Sequence, residues 1–269
     1  MKRKTFLTSL LLVLICSQLA FSQTKVYIVG TTHRPINLIN ADTLENILGR
    51  IKPDVILVEL DSTILTVEND FNYDLKKYPD LLENTSMENI AMCRYQQKHN
   101  IKLRPFDFTG RNDFYQRTDY FAKEDSLFSE MLAMQKNKEY STTNQRLFDV
   151  TWNIIKFYAE AEDVSFEDIN SDVRQKFTEL KYTTYDMFLQ ICQDEPKLHK
   201  WIDFAQLQRD FWIERNQKMV DNILLFAKEF NGKTLAIVVG YEHKYFIVNK
   251  LKDNANIELR DIFRKTEKN

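Results

Sequence analysis

The sequence predicts an α/β protein with a central, largely parallel sheet and flanking helices, split by a large all-helical insertion. Three apolar runs rich in β-branched residues are typical of buried strands: 25–30 (KVYIVG), 55–60 (VILVEL) and 234–239 (TLAIVV). Helical patterns alternate with the early strands, which is typical of a parallel sheet. Gly is absent from residues 111–231, where aromatic and aliphatic residues recur at helical spacing, so this stretch predicts the insertion.

The other elements follow from start and stop signals along the chain. Asp42 and Glu45 match a capping box, which predicts the start of a helix, and the Lys52-Pro53 pair would end that helix. This helix is predicted to run through about Arg50. The remaining predicted elements are a helix at 86–98, a strand at 101–106, helices over about 112–230, a helix through Leu251 and a weaker strand at 257–259.

The composition excludes several classes of protein. With 269 residues, 43% of them hydrophobic, and only five Gly, the chain is too apolar for a disordered protein and too poor in Gly for a collagen-like one. A net charge of -2 lacks the basic excess of most nucleic-acid-binding proteins, so we expect no nucleic-acid partner. The length fits a single domain over residues 23–269 that carries the insertion. The spacing of Cys93 and Cys192 leaves open whether they form a disulfide or remain buried thiols.

The first 22 residues have the pattern of a cleavable export signal. Residues 2–4 are basic, residues 6–15 are almost entirely apolar, and small residues within 20–22 predict cleavage after Ser22. The apolar stretch is shorter than the roughly 20 residues that span a bilayer. Acylation of Cys16, as in a lipoprotein, is a less favoured alternative because a bulky residue precedes it, and an uncleaved anchor is another. The pattern predicts a periplasmic or secreted protein with no membrane span after cleavage.

A Gly-x-x-His motif occurs twice, each time directly after a predicted buried strand. Gly30 and His33 follow the first strand, and Gly240 and His243 follow the fourth. The chain has only five Gly and four His, so chance rarely places two such pairs. In open α/β sheets the carboxyl ends of the strands line the ligand crevice, where Gly lets a ligand approach the backbone. The repeated motif therefore predicts one functional site that contains both histidines.

Glu59 adds a carboxylate to this predicted site. It interrupts an otherwise apolar strand, where an ionised group is costly unless it is paired or binds a cation. A structural ion pair, for example with Arg34, is the simpler explanation. Two histidines and one carboxylate at three strand ends are also typical of a metal site with open positions. We therefore predict His33, Glu59 and His243 as metal ligands and catalytic residues.

Arg215 is a charge on an otherwise apolar helix face. The apolar residues within about 40° of it on the helical wheel are Phe204, Phe211, Met219 and Phe226. Such an Arg needs an anionic partner: either a buried carboxylate such as Asp61 or Asp107, or a substrate carboxylate or developing oxyanion. Asp107 closes the third strand and is a second candidate polar group for binding substrate. Asn216 is a weaker candidate, because it lies a full helical step from that face.

Four segments of the chain resemble the TraB/GumN/TIKI family, within the wider erythromycin-esterase-like and ChaN-like group. They are VYIVGTTH, KPDVILVELD, ERNQKMVDNI and TLAIVVGYEH, in the same order as in the family. The resemblance implies an α/β core with a helical insertion. By similarity to TIKI proteins it also implies a divalent-metal-dependent peptidase, with His33, Glu59 and His243 at the motif positions and Arg215 with Asn216 as the Arg-Asn element.

Three functional hypotheses follow. The first is an exported hydrolase, most simply a peptidase, in which a divalent ion (Mn, Co or Zn) activates water and Arg215 orients an anionic group of the substrate. The second is a metal-independent, esterase-like hydrolase with His33 as general base and Glu59 in support. The third is a non-catalytic protein that binds haem or another small ligand.

Overall fold

The computed structural model describes residues 23–60, 85–160 and 165–264. The predicted export signal, including Cys16, lies outside these residues, and so does Asp61. The strands are β1 (Thr24–Thr31), β2 (Val55–Val58), β3 (Lys102–Pro105), β4 (Thr234–Gly240) and β5 (Ile257–Arg260). The helices are α1 (Ala41–Ile51), α2 (Met87–His99), α3 (Arg111–Thr118), α4 (Tyr120–Asn137), α5 (Thr142–Ala159), α6 (Phe166–Asn170), α7 (Asp172–Tyr182), α8 (Thr184–Asp194), a 3-10 helix (Pro196–Trp201), α9 (Ile202–Glu229) and α10 (Tyr241–Leu251).

The five strands form one parallel sheet in the order β3-β2-β4-β1-β5, which confirms the predicted fold class. Thr31 lies opposite Gly240, and Val58 lies opposite both Val238 and Pro105. Because all the strands run in one direction, their carboxyl ends meet at one edge of the sheet. The residues that follow β1, β2, β3 and β4 are therefore brought close together at this edge.

Helices cover both faces of the sheet, and the insertion has a core of its own. Helices α1, α2 and α6 pack on one face. The second half of α9 and α10 pack on the other. Helices α4, α5, α8 and the first half of α9 surround a third cluster, around Met131 and Phe148. Since α9 belongs to two of these cores, its middle turns lie where the insertion meets the sheet.

The start of α1 differs from the prediction. The N-cap is Asn40, whose side chain accepts a hydrogen bond from the backbone N–H of Thr43 at 3.0 Å. The capping box predicted at Asp42 and Glu45 is therefore wrong, because the helix has already begun at Ala41. An Asn at the N-cap accepts a hydrogen bond from one of the otherwise unpaired N–H groups of the first helical turn.

Two features bear on the sequence-based expectations for cysteines and membranes. Cys93 in α2 and Cys192 in α8 are buried thiols, and no disulfide joins them. None of the helices within the described residues is long and apolar enough to cross a membrane.

Two glycines are expected to respond in opposite ways to substitution by Ala. A Cβ on Gly49, inside α1, would meet no atom within 4 Å, so Gly49→Ala is expected to raise the free energy of unfolding by about 0.5–1 kcal/mol. A Cβ on Gly30 would lie 2.9 Å from the Tyr241 Cβ and 3.0 Å from the Asn170 Oδ1, so Gly30→Ala is expected to lower it by about 1–3 kcal/mol. Urea unfolding of both variants measures the two effects. A Gly30→Ala protein as stable as the parent would contradict the close approach at this strand end.

Candidate functional site

A cavity of about 740 Å³ opens at the carboxyl edge of the sheet, between the strand ends and the insertion. This volume suits a small molecule or part of a peptide. Side chains from the strand ends line one side: Thr31, His33, Glu59 and His243, with Glu88 from α2. Side chains from the insertion line the other: Arg111, Tyr115, Tyr120, Phe121, Glu124, Lys181, Tyr182, Tyr185, Trp212 and Arg215.

His243, in the first turn of α10, is buried and held in one tautomer. Its Nδ1 lies 2.8 Å from the Oδ1 of Asn216. The amide nitrogen of Asn216 donates to the carbonyl of Trp212 at 2.7 Å, so Oδ1 must face the ring and Nδ1 must carry the proton. Burial, together with the nearby charge of Arg215, holds the pKa of His243 well below its ordinary value. The ring is therefore neutral, with a lone pair on Nε2.

Asn216 was the weaker candidate because it lies a helical step from the apolar face of Arg215, yet the structure encloses it beside the site. Its side chain is fully buried and is the hydrogen-bond partner of His243. The helical wheel assumed a single buried face for α9. In fact α10 packs beside the sheet against the neighbouring face of α9, so a residue one step from Arg215 is also enclosed.

Glu59 and Asp107 share Arg215 as their cationic partner. Arg215 donates from Nε to Asp107 at 2.9 Å and from Nη2 to Asp107 at 3.0 Å and to Glu59 at 2.6 Å. The Nη1 of Arg111 lies 2.6 Å from Asp107 and 3.8 Å from Glu59. Asp107, predicted as a possible partner of Arg215, does pair with it. Glu59, which follows β2 directly, also pairs with Arg215 and not with Arg34.

One nitrogen of Arg215 has no hydrogen-bond partner among the residues that the structure describes. This nitrogen is Nη1, and Arg215 lines the cavity. Burial alone would lower the pKa of Arg215, but Glu59 and Asp107 raise it above its ordinary value. The guanidinium therefore remains charged while it holds both carboxylates, and Nη1 can donate to an oxygen in the cavity.

His33 is paired with Glu88, which the sequence patterns did not single out. The Nδ1 of His33 lies 3.2 Å from the Oε1 of Glu88, and the same oxygen accepts a hydrogen bond from the Thr31 hydroxyl at 2.8 Å. The His33 side chain is 71% exposed, and this contact raises its pKa above the ordinary value, with partial desolvation opposing the shift. When His33 is neutral, a proton on Nδ1 facing Glu88 leaves the lone pair on Nε2.

Glu88 is a buried carboxylate with spare capacity to accept hydrogen bonds. Its side chain is 8% exposed, and its Oε2 has no hydrogen-bond partner within the described residues. The sequence signal was an acidic residue in the first turn of α2, which the helix dipole explains equally well. What distinguishes Glu88 from other acidic residues in the first turn of a helix is its contact with His33.

The glycines of the two motifs have different surroundings. Gly30 is enclosed by α10 and Asn170, as described above, whereas Gly240 faces the cavity. A Cβ on Gly240 would lie 3.2 Å from Glu59 Oε2, 3.7 Å from His33 Nε2 and 3.7 Å from His243 Cδ2. Glu59 Oε2 also accepts the backbone N–H of Gly240 at 2.5 Å. The three side chains predicted from the sequence therefore surround one point, which a side chain at position 240 would fill.

The donor set at this point suits a divalent ion, although the side chains are not gathered around one. Nε2 of His243 lies 3.6 Å from Oε1 of Glu59, and both histidines can present a lone pair on Nε2. Within the described residues, no group of three or more His, Cys, Asp and Glu side chains forms a ready metal-holding cluster. The hydrogen bond from Arg215 to Glu59 competes with a cation for the same carboxylate.

The chain was compared with models of known protein families, with curated proteins and with solved structures, and none of them matches it.

Proposed function

We propose that this protein is an exported hydrolase in which a divalent ion (Mn, Co or Zn) helps to cleave a peptide or similar small substrate. The observation that supports it best is the grouping of His33, Glu59 and His243 around the point at Gly240, at the floor of a substrate-sized cavity. The choice of a metal and of a peptide bond rests on the family resemblance in the sequence. Export rests on residues 1–22, which lie outside the described part of the chain.

In this proposal His33, Glu59 and His243 would hold the ion, which would supply Lewis-acid polarisation of the scissile carbonyl. His243 is already neutral and needs no proton loss, because burial and the charge of Arg215 hold its pKa low, and the contact of Nδ1 with Asn216 leaves the lone pair on Nε2. The Nη1 of Arg215 donates to the carbonyl oxygen as negative charge develops on it. Asp107 has no direct contact with the substrate in this scheme, and it fixes the guanidinium in position.

Metal content tests this proposal directly. The purified protein is stripped with a chelator, refilled separately with Mn, Co or Zn, and its metal content measured alongside that of His33→Ala and His243→Ala. We expect close to one ion per chain in the parent and a loss of affinity of at least about 10-fold in both variants. His199→Ala is the matched control, because His199 is an exposed histidine outside the cavity lining. A parent protein that retains no ion would contradict the metal-dependent proposal.

A specific observation favours a second candidate, a metal-independent hydrolase. His33 and Glu88 form a His-carboxylate pair that orients the ring, and Arg215 already neutralises Glu59. His33 Nε2 would then accept a proton from water, with Glu88 stabilising the imidazolium that forms. Hydrolysis that persists in a strong chelator, but is lost in His33→Ala, would favour this candidate over the first.

A further inference from the structure

The end of the cavity formed by the insertion contains a carboxylate with no role in the proposed chemistry. Glu124, near the start of α4, is half-buried and lines the cavity. Its Oε1 accepts a hydrogen bond from the Nε2 of Gln208 in α9 at 2.5 Å. Its Oε2 makes no hydrogen bond within the described residues. A carboxylate among the aromatic residues of the insertion is costly to desolvate, so its position there calls for a reason.

Aromatic rings line the same cavity as this carboxylate. The rings of Tyr120 and Tyr115 are 5.1 Å apart, and the ring of Phe121 lies 4.8 Å from that of Tyr115. The charge of Glu124 acts on the hydroxyl groups of both Tyr120 and Tyr185. Phe121 is 58% exposed, so this aromatic wall extends to the mouth of the cavity. Faces of aromatic rings next to a carboxylate are typical of sites that bind organic cations.

Lys181, a cation that lines the cavity, is already paired. Lys181 acts on Glu124 through its charge, but its ammonium group contacts the carboxylate of Glu242 at 2.5 Å. Tyr158 and Tyr182 also donate to Glu242, at 2.9 and 2.6 Å. Glu242 and Lys181 therefore neutralise each other, and Glu124 forms no salt bridge with any residue that the structure describes.

We propose that Glu124, with the rings of Tyr115, Tyr120, Phe121 and Tyr185, binds an ammonium group of the substrate. This inference rests on the proposed hydrolase function and specifies its substrate class, since the ammonium group occupies the insertion end while the scissile bond lies at His33 and Glu59. The Oε2 of Glu124 accepts hydrogen bonds from the ammonium, and the ring faces add cation–π attraction. The group is either the α-amine of a peptide or the side-chain amine of a Lys.

Two pairs of probes distinguish these sources in binding measurements by titration calorimetry on metal-stripped protein. Phenylalaninamide is compared with its neutral N-acetyl derivative for the α-amine. N-acetyl-lysinamide is compared with N-acetyl-norleucinamide for the side-chain amine. We expect one charged probe to bind about 10-fold more tightly than its neutral partner, and the pair that shows this preference identifies the source. Equal affinities within both pairs, or no binding of any probe, would overturn the proposal.

Variants locate the effect. Glu124→Gln is expected to abolish the preference for the charged probe, whereas Asp125→Asn removes the same charge from an exposed neighbour and is expected to keep it. Glu124→Asp retains the charge and should also keep the preference, so it covers the case in which the Gln variant fails to fold. A folded Glu124→Gln protein that still prefers the charged probe would refute the assignment. His33→Ala should lose hydrolysis yet keep the preference, so failure of the hydrolase proposal and failure of this one give different results.

Discussion

Replacing Arg215 by Met is expected to lower the free energy of unfolding by about 3–5 kcal/mol. The side chains of Glu59 and Asp107 are 7% and 0% exposed, and Arg215 is hydrogen-bonded to both. Without the guanidinium, two negative charges would remain close together and poorly solvated, with Arg111 as their remaining cationic neighbour. Urea unfolding monitored by circular dichroism measures the loss.

The matched control is Arg104→Met on the protein surface. Arg104 pairs with Glu229 at 3.1 Å, but the two side chains are 22% and 44% exposed, so we expect a loss of no more than about 1 kcal/mol. Adding Asp107→Asn to Arg215→Met removes one of the two buried carboxylates that lost their partner, so it should recover part of the lost free energy of unfolding. If Arg215→Met costs no more than the surface control, the buried cluster does not contribute as described.

The second large effect is on catalysis. On any ester or peptide anilide that the parent hydrolyses, His33→Ala is expected to lower kcat/KM by about 10²–10⁴-fold, because His33 is either a metal ligand or the general base in the two candidate mechanisms. His199→Ala is again the control for removal of an exposed histidine. Activity unchanged in His33→Ala would exclude both mechanisms.

The pH dependence of the metal-independent reaction tests the role of Glu88. The His33 pKa lies above its ordinary value of 6.5 because of the contact with Glu88, with Glu59 adding to the shift and Arg111 opposing it. A general base acts only in its unprotonated form, so activity should rise with pH through this raised pKa. Glu88→Gln lowers the His33 pKa and should move the acid limb to lower pH, together with a smaller kcat from poorer orientation. An acid limb at the same pH in both proteins would remove Glu88 from this role.

Several features of the site could be predicted from the sequence because they depend on local pattern. Apolar runs predict strands, and parallel strands end at one edge, so His33, Glu59, Asp107 and His243 were expected together. Residues that join the site from helices were harder to find. Glu88 resembles an ordinary acidic residue in the first turn of a helix, since its distance from His33 depends on how α2 packs against β1.

The sequence by itself determined the parallel α/β architecture, the helical insertion and the three side chains around Gly240, since alternation of strands and helices leaves few ways to arrange them. The tertiary structure decided how these groups are charged and oriented. Only packing places Arg215 between Glu59 and Asp107 and brings the side chain of Asn216 within hydrogen-bond distance of His243 Nδ1. Packing also places the insertion over the strand ends. Electrostatic contacts of this kind act over a few ångströms between residues far apart in the chain, and local sequence patterns do not encode such distances.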